Sequence, residues 1–249
     1  MPIKHLTCTS LPEFISAAAA LVEDWSDAET GEISPWYRGQ KRADWQLIPG
    51  HYRHSHISPD EIRSEFVLKA TDLLPRVPSS DWEWYFLMQH YGLPTRLLDW
   101  TTGSLIALHF ALCHDTAQQD AAVWTIDPWR LNHWSLSSPD LLLSTDEAAS
   151  RYLSPLYTAA HIPQRPAAIV PPYNSPRITV QRGAFTVHGS SASPLEEQYK
   201  ARLSKITIPA DAALRMRREL RNAGISEFTL FPDLDGLSRD IRAQHVEGC

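Results

Sequence analysis

The sequence predicts a single domain of the mixed α+β class, and three observations carry this prediction. The chain has 249 residues, 43% of them hydrophobic, which is enough to fill one sizeable core. Segments of helical periodicity alternate along it with short apolar segments typical of strands. No internal repeat, low-complexity tail or clear linker divides the chain, so we treat residues 1–249 as one domain.

The N-terminal part is predicted to begin with a helix in residues 1–30 and to continue into a half, residues 34–126, that contains most of the distinctive motifs. Ser10-Leu11-Pro12-Glu13 has the pattern of a capping box, which starts the first helix. Helices are predicted where apolar residues recur at helical spacing, and strands where short apolar runs flank turns. In chain order, these segments are a helix to Trp25, strands at 35–38 and 45–49, helices at 59–74, 80–91 and 101–113, and a strand at 121–126.

The C-terminal part begins with a proline-rich segment. Six prolines lie between Pro155 and Pro176, and they argue against a long helix or a central strand there. We therefore expect residues 155–176 to wrap the domain or to form a lid. The segments predicted within residues 177–249 are strands at 177–180, 184–187, 205–208 and 228–231, and helices at 211–223 and 233–244.

The 10 glycines are few and scattered. No two of them are closer than Gly183 and Gly189, so the chain has neither a Gly-x-Gly-x-x-Gly fingerprint nor a Gly-x-x-x-x-Gly-Lys loop. A bound nucleotide would therefore be held by fixed side chains. The 9 tryptophans all lie between Trp25 and Trp134, which concentrates large amphipathic contact area in the first half of the chain.

Cysteine usage and hydropathy bear on the compartment. Cys8, Cys113 and Cys249 are isolated, which argues against a disulfide framework and a cysteine-based zinc site. The first ten residues lack the apolar core of a signal peptide, and no apolar stretch approaches the ~20 residues of a spanning helix. We expect a cytoplasmic protein with no membrane contact. The histidines within residues 51–56 lack the spacing of a helical zinc site, so no metal is predicted.

The formal net charge of −6 is unevenly distributed. Residues 1–125 contain 9 basic and 16 acidic residues, whereas the stretch from Arg177 to Arg221 contains 9 basic and 4 acidic residues. The overall charge disfavours nonspecific nucleic-acid binding. The stretch from Arg177 to Arg221 is nevertheless where we expect a nucleic-acid partner to be contacted, and the alternative is a solvated basic face.

The densest set of polar side chains lies in the segment Gln89–Thr101. It places the imidazole of His90, the guanidinium of Arg96 and the carboxylate of Asp99 within ten residues. Turns between rigid elements are frequent places for functional groups, and this one supplies an acid–base group and an anion binder. The alternative is structural, in which Asp99 caps the next helix, Arg96 pairs with it and His90 ends the preceding helix.

Two shorter motifs supply further candidates. In Trp36-Tyr37-Arg38-Gly39-Gln40, the arginine precedes glycine, so its donors lie beside exposed backbone, in a way that suits a phosphate or a carboxylate. Pairing of Arg38 with an N-terminal acid is the alternative. In Gln181-Arg182-Gly183-Ala184-Phe185, the glycine is typical of a bulge that re-aims Gln181.

Together these blocks resemble the FRG domain, which is named for a Phe-Arg-Gly motif. The matching blocks are Tyr37–Gln40 with Trp45-x-Leu47-x-Pro49, Gln89–Thr101, Gln181-x-Gly183-x-Phe185 and Leu230–Leu237. Tyr37 replaces the phenylalanine of the name, and the resemblance extends over nearly the whole chain. It implies a divergent ADP-ribosyltransferase-like fold, in which a small split sheet of antiparallel and mixed strands is surrounded by helices.

The resemblance also implies a function, the transfer of ADP-ribose from NAD to an acceptor such as a nucleic-acid base, by a cytoplasmic toxin or antiviral-defence effector. NAD is then the substrate. The residues implied to bind it are Arg38, Gln40, Thr95, Arg96 and Thr101. The residues implied to be catalytic are His90, Asp99 and Gln181, with His90 deprotonating the acceptor because an imidazole pKa near ~6.5 suits a general base.

Gln181 falls where such enzymes have a glutamate that stabilises an oxocarbenium-like transition state. A neutral amide supplies no charge, so three alternatives are open. Gln181 positions the substrate without charge, or a carboxylate of Asp99, Glu196 or Glu197 acts instead, or the domain binds without turnover. Two other function classes therefore stand beside the transferase: a non-catalytic binding or protein-interaction module, and a metal-dependent nuclease, which is disfavoured because the carboxylates are not clustered at ligand spacing.

Overall fold

A computed structural model describes residues 2–25, 33–54, 58–113, 119–153, 162–172 and 176–245, over which strands and helices alternate. The strands are β1 (Lys4–Thr7), β2 (Trp36–Gln40), β3 (Leu97–Thr101), β4 (Ala121–Ile126), β5 (Leu142–Leu143), β6 (Ala167–Val170), β7 (Gly183–Val187) and β8 (Leu203–Ile208). The helices are α1 (Leu11–Trp25), α2 (Gly50–Arg53), α3 (Pro59–Ala70), α4 (Asp81–His90), α5 (Ser104–Leu112), α6 (Pro128–Leu136), α7 (Glu147–Leu153), α8 (Pro176–Val180), α9 (Leu195–Gln198), α10 (Ala210–Asn222), α11 (Glu227–Leu230) and α12 (Leu234–His245), with a 3-10 turn at Thr71–Leu73.

The strands form one sheet in the order β1-β8-β4-β2-β3-β7-β6-β5. Strand β1 pairs parallel to β8, and β5 pairs parallel to β6. The other neighbouring strands are antiparallel. A mixed sheet surrounded by helices confirms the predicted α+β class.

The centre of this sheet is sparsely paired. Strand β2 forms five residue pairs with β4, and β3 forms five with β7, whereas β2 and β3 share only the pair Tyr37–Thr101. Continuing that antiparallel register would oppose Gly39 and Asp99, but the two strands have separated at this point. In place of the small split sheet that the resemblance implied, the structure has one continuous eight-stranded sheet, whose two four-stranded halves are joined at a single pair. The separation beside that pair is called the split below.

Each half of the sheet has its own helix packed against it. At Gly39 of β2, an added Cβ would clash with the carbonyl oxygen of Ala107 and lie 2.6 Å from the backbone nitrogen of Ala111. Helix α5 therefore lies directly on β2, at a distance that only glycine allows. On the other half, Phe86 of α4 packs against Phe185 of β7 with ring centroids 5.2 Å apart. The space between the two helices lies over the split.

Apolar side chains fill both faces of the sheet. One core joins α1, α5 and α10 to β4 and β8. A second is built around Trp36, Trp100 and Trp124, and a third lies under α4 around Trp82. Most of the tryptophan excess is therefore core material, because burying large aromatic rings supplies much of the hydrophobic stabilisation. Among the described helices none is long and apolar enough to cross a membrane.

Three predicted strands are wrong. Residues 177–180 belong to α8, whose first residue is a proline, as is common in helices. Residues 228–231 largely belong to α11, which begins with a capping box between Ser226 and Thr229. Residues 45–49 form an irregular loop, which side chains rather than strand pairing hold in place.

The proline-rich segment also departs from expectation. Residues Ala167–Val170 form β6, an internal strand between β7 and β5. The four residues fit between Pro166 and Pro171, so neither proline has to donate a backbone hydrogen bond within the strand. Residues 154–161 and 173–175 lie outside the described part of the chain, and the lid remains a prediction.

Candidate functional site

A cleft of about 760 Å³ lies over the split in the sheet, within the size range of small-molecule sites. Its walls come from β2 and the loop after it, the end of α4, β3, the end of α5, the start of β7 and the α11–α12 segment. The predicted site residues that line it are Arg38, Gln40, His90, Asp99, Thr101 and Gln181, and other lining residues include Lys41, Trp45, Arg53, Gln89, Phe110, Glu227, Phe231, Asp235 and Arg239. The fold thus brings all three candidate motifs to one cleft.

Arg38 bridges the split. Its Nη1 donates a hydrogen bond of 2.7 Å to the backbone carbonyl oxygen of Asp99 and lies 3.6 Å from Oδ2 of the same residue. Because β2 and β3 are not paired here, the guanidinium replaces a backbone link between the two halves of the sheet. Nε of Arg38 is buried without a hydrogen-bond partner, so the group retains an unsatisfied donor.

The charge of Arg38 is only partly compensated. Burial lowers the pKa of its guanidinium, Asp99 opposes that shift, and the nearby charge of Arg53 adds to it. Arginine remains protonated in proteins despite such shifts. The guanidinium groups of Arg38 and Arg53 both line the cleft and are close enough to repel each other. Together they favour the binding of an anion between them.

Asp99 is oriented by a short hydrogen-bond chain. Its Oδ2 accepts from Nε2 of Gln89 at 2.9 Å, and Oε1 of Gln89 accepts from the hydroxyl of Thr95. Thr95 therefore fixes the direction of the Gln89 amide. The Asp99 side chain is 58% exposed, so the carboxylate is both oriented and accessible from the cleft.

The structural alternative for Asp99, a helix cap, is wrong. Asp99 is the middle residue of β3 and pairs with Phe185 of β7, whereas α5 begins only at Ser104. The strand was not recognised because its pairing partner, β7, lies more than 80 residues away in the sequence. In a strand, the Asp99 side chain projects from the sheet instead of binding the start of a helix.

A buried histidine lies close to Arg38. Nε2 of His188 is 3.3 Å from the hydroxyl of Thr186, and that hydroxyl accepts from Nε1 of Trp100 at 3.0 Å. Burial, with the charges of Arg38 and Arg96 acting in the same direction, lowers the pKa of His188 to about 3. The imidazole is therefore neutral at physiological pH and adds no positive charge next to Arg38.

Another carboxylate that lines the cleft is that of Glu227, on α11. Its Oε1 is 3.2 Å from Nε2 of His109, and its Oε2 accepts from Nε of Arg239 at 2.9 Å. The hydrogen bond to His109, more than that to Arg239, lowers the pKa of Glu227 to about 2. This carboxylate ties α5, α11 and α12 together. Within the described residues, no group of three or more His, Cys, Asp or Glu side chains is placed to hold a metal ion.

Gln181 and Thr101 line the cleft, but their polar atoms bind other parts of the wall. Nε2 of Gln181 donates to the carbonyl oxygen of Leu230 at 3.0 Å, and the Thr101 hydroxyl donates to the carbonyl oxygen of Gln181 at 2.7 Å. The residue of left-handed conformation in this turn is Arg182, with φ 48°, and not Gly183. The predicted glycine bulge is therefore wrong, and Arg182 makes the turn.

Gln40 is at the edge of the cleft and serves the scaffold. It is 3% exposed. Its Oε1 accepts from Nε1 of Trp124 at 2.8 Å, and its Nε2 donates to the carbonyl oxygen of Gln46 at 3.3 Å. Both ends of the amide are thus engaged within the protein.

Thr95 and Arg96 are not among the described residues that line the cleft, so the structure does not place them with Arg38 there, and their contact with NAD remains a prediction. Arg96 donates to the backbone carbonyl oxygens of His188, at 3.2 Å, and of Tyr152. These bonds point its guanidinium into the protein. Thr95 acts instead on Asp99 through Gln89.

His90 occupies the last turn of α4, as predicted, and is exposed. Its ring lies 5.1 Å from that of Tyr91 in an edge-on arrangement. It lines the same cleft as its neighbour Gln89. An exposed imidazole at the opening is accessible to an incoming acceptor.

The basic residues between Arg177 and Arg221 are distributed over several elements. Lys205 of β8 donates to the carbonyl oxygen of Ala43 and lies over the Trp124 ring, 5.1 Å from its centroid. Others are on the α8–β7 turn and on α10. The stretch does not form one basic helix or strand, and its contact with a nucleic acid remains a prediction.

Sequence reasoning did not find Glu227 or Arg239. Glu227 directly precedes residues 228–231, which were assigned to a strand, and Arg239 is on a different helix twelve residues later. No local spacing links either of them to Arg38. Only the capping-box pattern that starts at Ser226 could have placed Glu227 in the first turn of a helix.

Comparison with known protein families adds one independent finding. The family model described as the FRG domain matches residues 34–120. This range runs from β2 to the end of α5 and contains Arg38, His90 and Asp99, whereas Gln181 and Glu227 lie beyond it. Comparisons with curated proteins and with solved structures found no match.

Proposed function

We propose, starting from the match of residues 34–120 to the FRG domain, that the cleft binds NAD and that the protein transfers ADP-ribose from it to an acceptor. The observation that carries this proposal is the placement of Arg38 and Asp99 across the split, Nη1 to Oδ2 at 3.6 Å, in a cleft large enough for a dinucleotide. An anion-binding group and an accessible carboxylate are the two charged groups that this reaction requires.

Arg38 and Asp99 have separate roles in this proposal. Arg38 binds the diphosphate through its guanidinium, beside the hydrogen bond that Nη1 donates to Asp99. Asp99 accepts a hydrogen bond from the 2′-hydroxyl of the nicotinamide ribose and stabilises the positive charge that develops at C1′. The bond between C1′ and the nicotinamide nitrogen breaks, and the nitrogen leaves with the electron pair.

His90 completes the proposed reaction. The acceptor forms a new bond to C1′ and loses a proton, which His90 takes as a general base. The products are nicotinamide, the ADP-ribosylated acceptor and protonated His90, so atoms and charge balance. The exposed position of His90 at the cleft opening supports this role.

Asp99 is a better candidate for the charged role than the other groups considered. The amide of Gln181 donates to Leu230 and carries no charge. Glu196 accepts from the backbone nitrogen of Leu47 at 3.1 Å, and Glu197 accepts from Gln46. Neither glutamate is among the described residues that line the cleft. Glu227 lines it, but both of its oxygens are already engaged.

We further propose that the acceptor is a nucleic-acid base, which would make the protein a toxin or an antiviral-defence effector. The basic excess between Arg177 and Arg221 supports this choice, because phosphate contacts by Lys and Arg supply most of the affinity of proteins for nucleic acids. Such binding weakens as salt is raised, which gives a simple check.

Binding of NAD without turnover is the second candidate. The specific observation in its favour is Gln181, which supplies a neutral and already engaged amide where a glutamate is expected. In that case Asp99 and Arg38 would clamp the two halves of the sheet around a bound ligand. The same experiment separates the two candidates.

The experiment incubates the purified protein with NAD labelled in its nicotinamide ring and with DNA, RNA or protein acceptors. We expect nicotinamide release by the wild type and a loss of at least tenfold in Arg38→Ala. Binding of NAD without release under any acceptor would support the second candidate. Neither release nor binding, with Arg38→Ala behaving like the wild type, would overturn both.

A further inference from the structure

Trp45 differs from most tryptophans of the chain. Six of the nine are buried, whereas Trp45 is 43% exposed and lines the cleft. Tryptophan is highly buried on average, and its exposed ring presents a large flat apolar surface to water. An indole in this position at a concave wall is suited to stacking against a planar ring.

The loop that carries Trp45 is fixed on both sides of it. Before it, the backbone nitrogen of Ala43 donates to the carbonyl oxygen of Asp120 at 2.6 Å. After it, the backbone nitrogen of Leu47 donates to Glu196 at 3.1 Å, and the Leu47 side chain is fully buried. The indole is therefore presented on a rigid support, which reduces the entropy lost when a ligand binds.

Cationic side chains accompany the indole. Lys41 and Arg53 also line the cleft, and Nε of Arg53 donates to the carbonyl oxygen of Ile48 at 2.8 Å. Arg38 bonds to Asp99 and is close enough to Arg53 for their charges to interact. Arg38 therefore lies between the Asp99 side and the Arg53 side of the cleft.

We infer that Trp45 and Arg53 form the subsite for the adenosine-diphosphate part of NAD, with the indole stacked on adenine and Arg53 joining Arg38 on the diphosphate. This inference rests on the proposed function and adds to it the orientation of NAD in the cleft. The nicotinamide ribose must lie where its bond is broken, at Asp99. The other end of the dinucleotide then extends past Arg38 toward Arg53 and Trp45, where the larger ring system meets the larger aromatic surface.

Calorimetric titration of the full-length protein tests this placement, with three probes: NAD, ADP and nicotinamide mononucleotide. We expect Trp45→Ala to weaken binding of NAD and ADP about tenfold or more, as for a base stacked on an aromatic side chain. Binding of nicotinamide mononucleotide should not change. Trp45→Phe retains a smaller ring and should show an intermediate loss. In a separate titration that adds adenosine as a probe, Arg53→Gln should weaken ADP binding more than adenosine binding.

Phe228→Ala is the matched control, because Phe228 is likewise 43% exposed and is not among the described residues that line the cleft. It should leave all three affinities unchanged. Thermal melts of each variant identify any loss of folding, and Trp45→Phe and Arg53→Gln carry the test if Trp45→Ala does not fold.

Each outcome bears on a different claim. If Trp45→Ala weakens nicotinamide mononucleotide as much as ADP, or weakens neither, the adenine subsite is overturned. If the wild type releases nicotinamide while Trp45→Ala binds NAD normally, the transferase proposal stands and this subsite alone fails. If the wild type binds neither NAD nor ADP, both proposals fail.

Discussion

Two carboxylates that line the cleft, those of Asp99 and Glu227, are held in different ways. Glu227 has an 18% exposed side chain, and His109 and Arg239 engage both of its oxygens. Asp99 has a 58% exposed side chain, which Gln89 orients and Arg38 approaches. A carboxylate with saturated partners stabilises the fold, whereas one that is oriented but accessible can exchange a partner for a substrate.

This difference shows that lining a cleft does not by itself make a residue functional. The pKa of Glu227 is lowered to about 2, and perturbation alone would have favoured it as the functional acid. Its hydrogen bonds to His109 and Arg239 are the main structural cause of that shift. The accessible carboxylate of Asp99 is the one with room for a ligand.

The largest expected effect comes from disrupting the packing of α5, which carries His109, the partner of Glu227, on β2. In Gly39→Ala the new Cβ would clash with backbone atoms of Ala107 and Ala111, so α5 must move off β2. We expect a loss of more than about 3 kcal/mol in the free energy of unfolding, the scale of severe core overpacking, measured by chemical denaturation. Gly183→Ala is the control, because the nearest atom to its Cβ would be 3.7 Å away, and it should be nearly neutral. Equal losses in the two variants would contradict the packing argument.

Asp99→Asn tests the functional side of the comparison. It keeps the shape and the hydrogen bond to Gln89 after an amide flip, but it removes the charge. We expect the rate of nicotinamide release to fall about 100-fold to 1000-fold, as when one transition-state contact is removed, with little change in melting temperature. Glu227→Gln should change that rate much less. A smaller rate effect for Asp99→Asn than for Glu227→Gln would reverse the assignment.

Glu227→Gln tests the structural side. Removing a charge that bonds to His109 and Arg239 should cost about 1–3 kcal/mol in the free energy of unfolding. Because folding lowers the pKa of Glu227 from 4.5 to about 2, its stabilisation is complete above about pH 4.5 and is lost as the pH falls toward 2. The difference in stability between wild type and variant should therefore shrink over that range. A difference that stays constant across it would contradict the account.

The smallest effect is expected for Gln181→Ala. It removes the hydrogen bond to the Leu230 carbonyl, which is worth about 0.5–1.5 kcal/mol of stability. The rate of nicotinamide release should fall by no more than about threefold, because Gln181 holds part of the cleft wall in place and carries no charge. A loss as large as that of Asp99→Asn would return Gln181 to the catalytic role that the family resemblance implied.

Elements with local signals were predicted well from the sequence. Strand β4 matches the predicted residues 121–126, because an apolar run ends at Asp127-Pro128. Helix α10 ends before Gly224, which has φ 86° and stops the helix as expected. The family resemblance, which rested on local motifs, is supported by the match at residues 34–120.

Features that depend on contacts between residues far apart in the sequence could not be predicted in the same way. The strand at Leu97–Thr101 exists because β7 pairs with it, and the residues beside Asp99 carry no sign of that partner. The contact between Arg38 and the Asp99 carbonyl requires the two halves of the sheet to separate, which no residue pattern reveals. Glu227 meets His109 across more than 100 residues, and its place in the cleft is visible only in three dimensions.

The central claim is that the split between β2 and β3 is the NAD site, and a crystal structure of the Asp99→Asn variant with bound NAD tests it most directly. The variant should turn over slowly enough to retain the intact dinucleotide. We predict the diphosphate on Arg38 and the nicotinamide ribose beside residue 99. NAD bound away from the split, or an empty cleft at saturating NAD, would contradict the account.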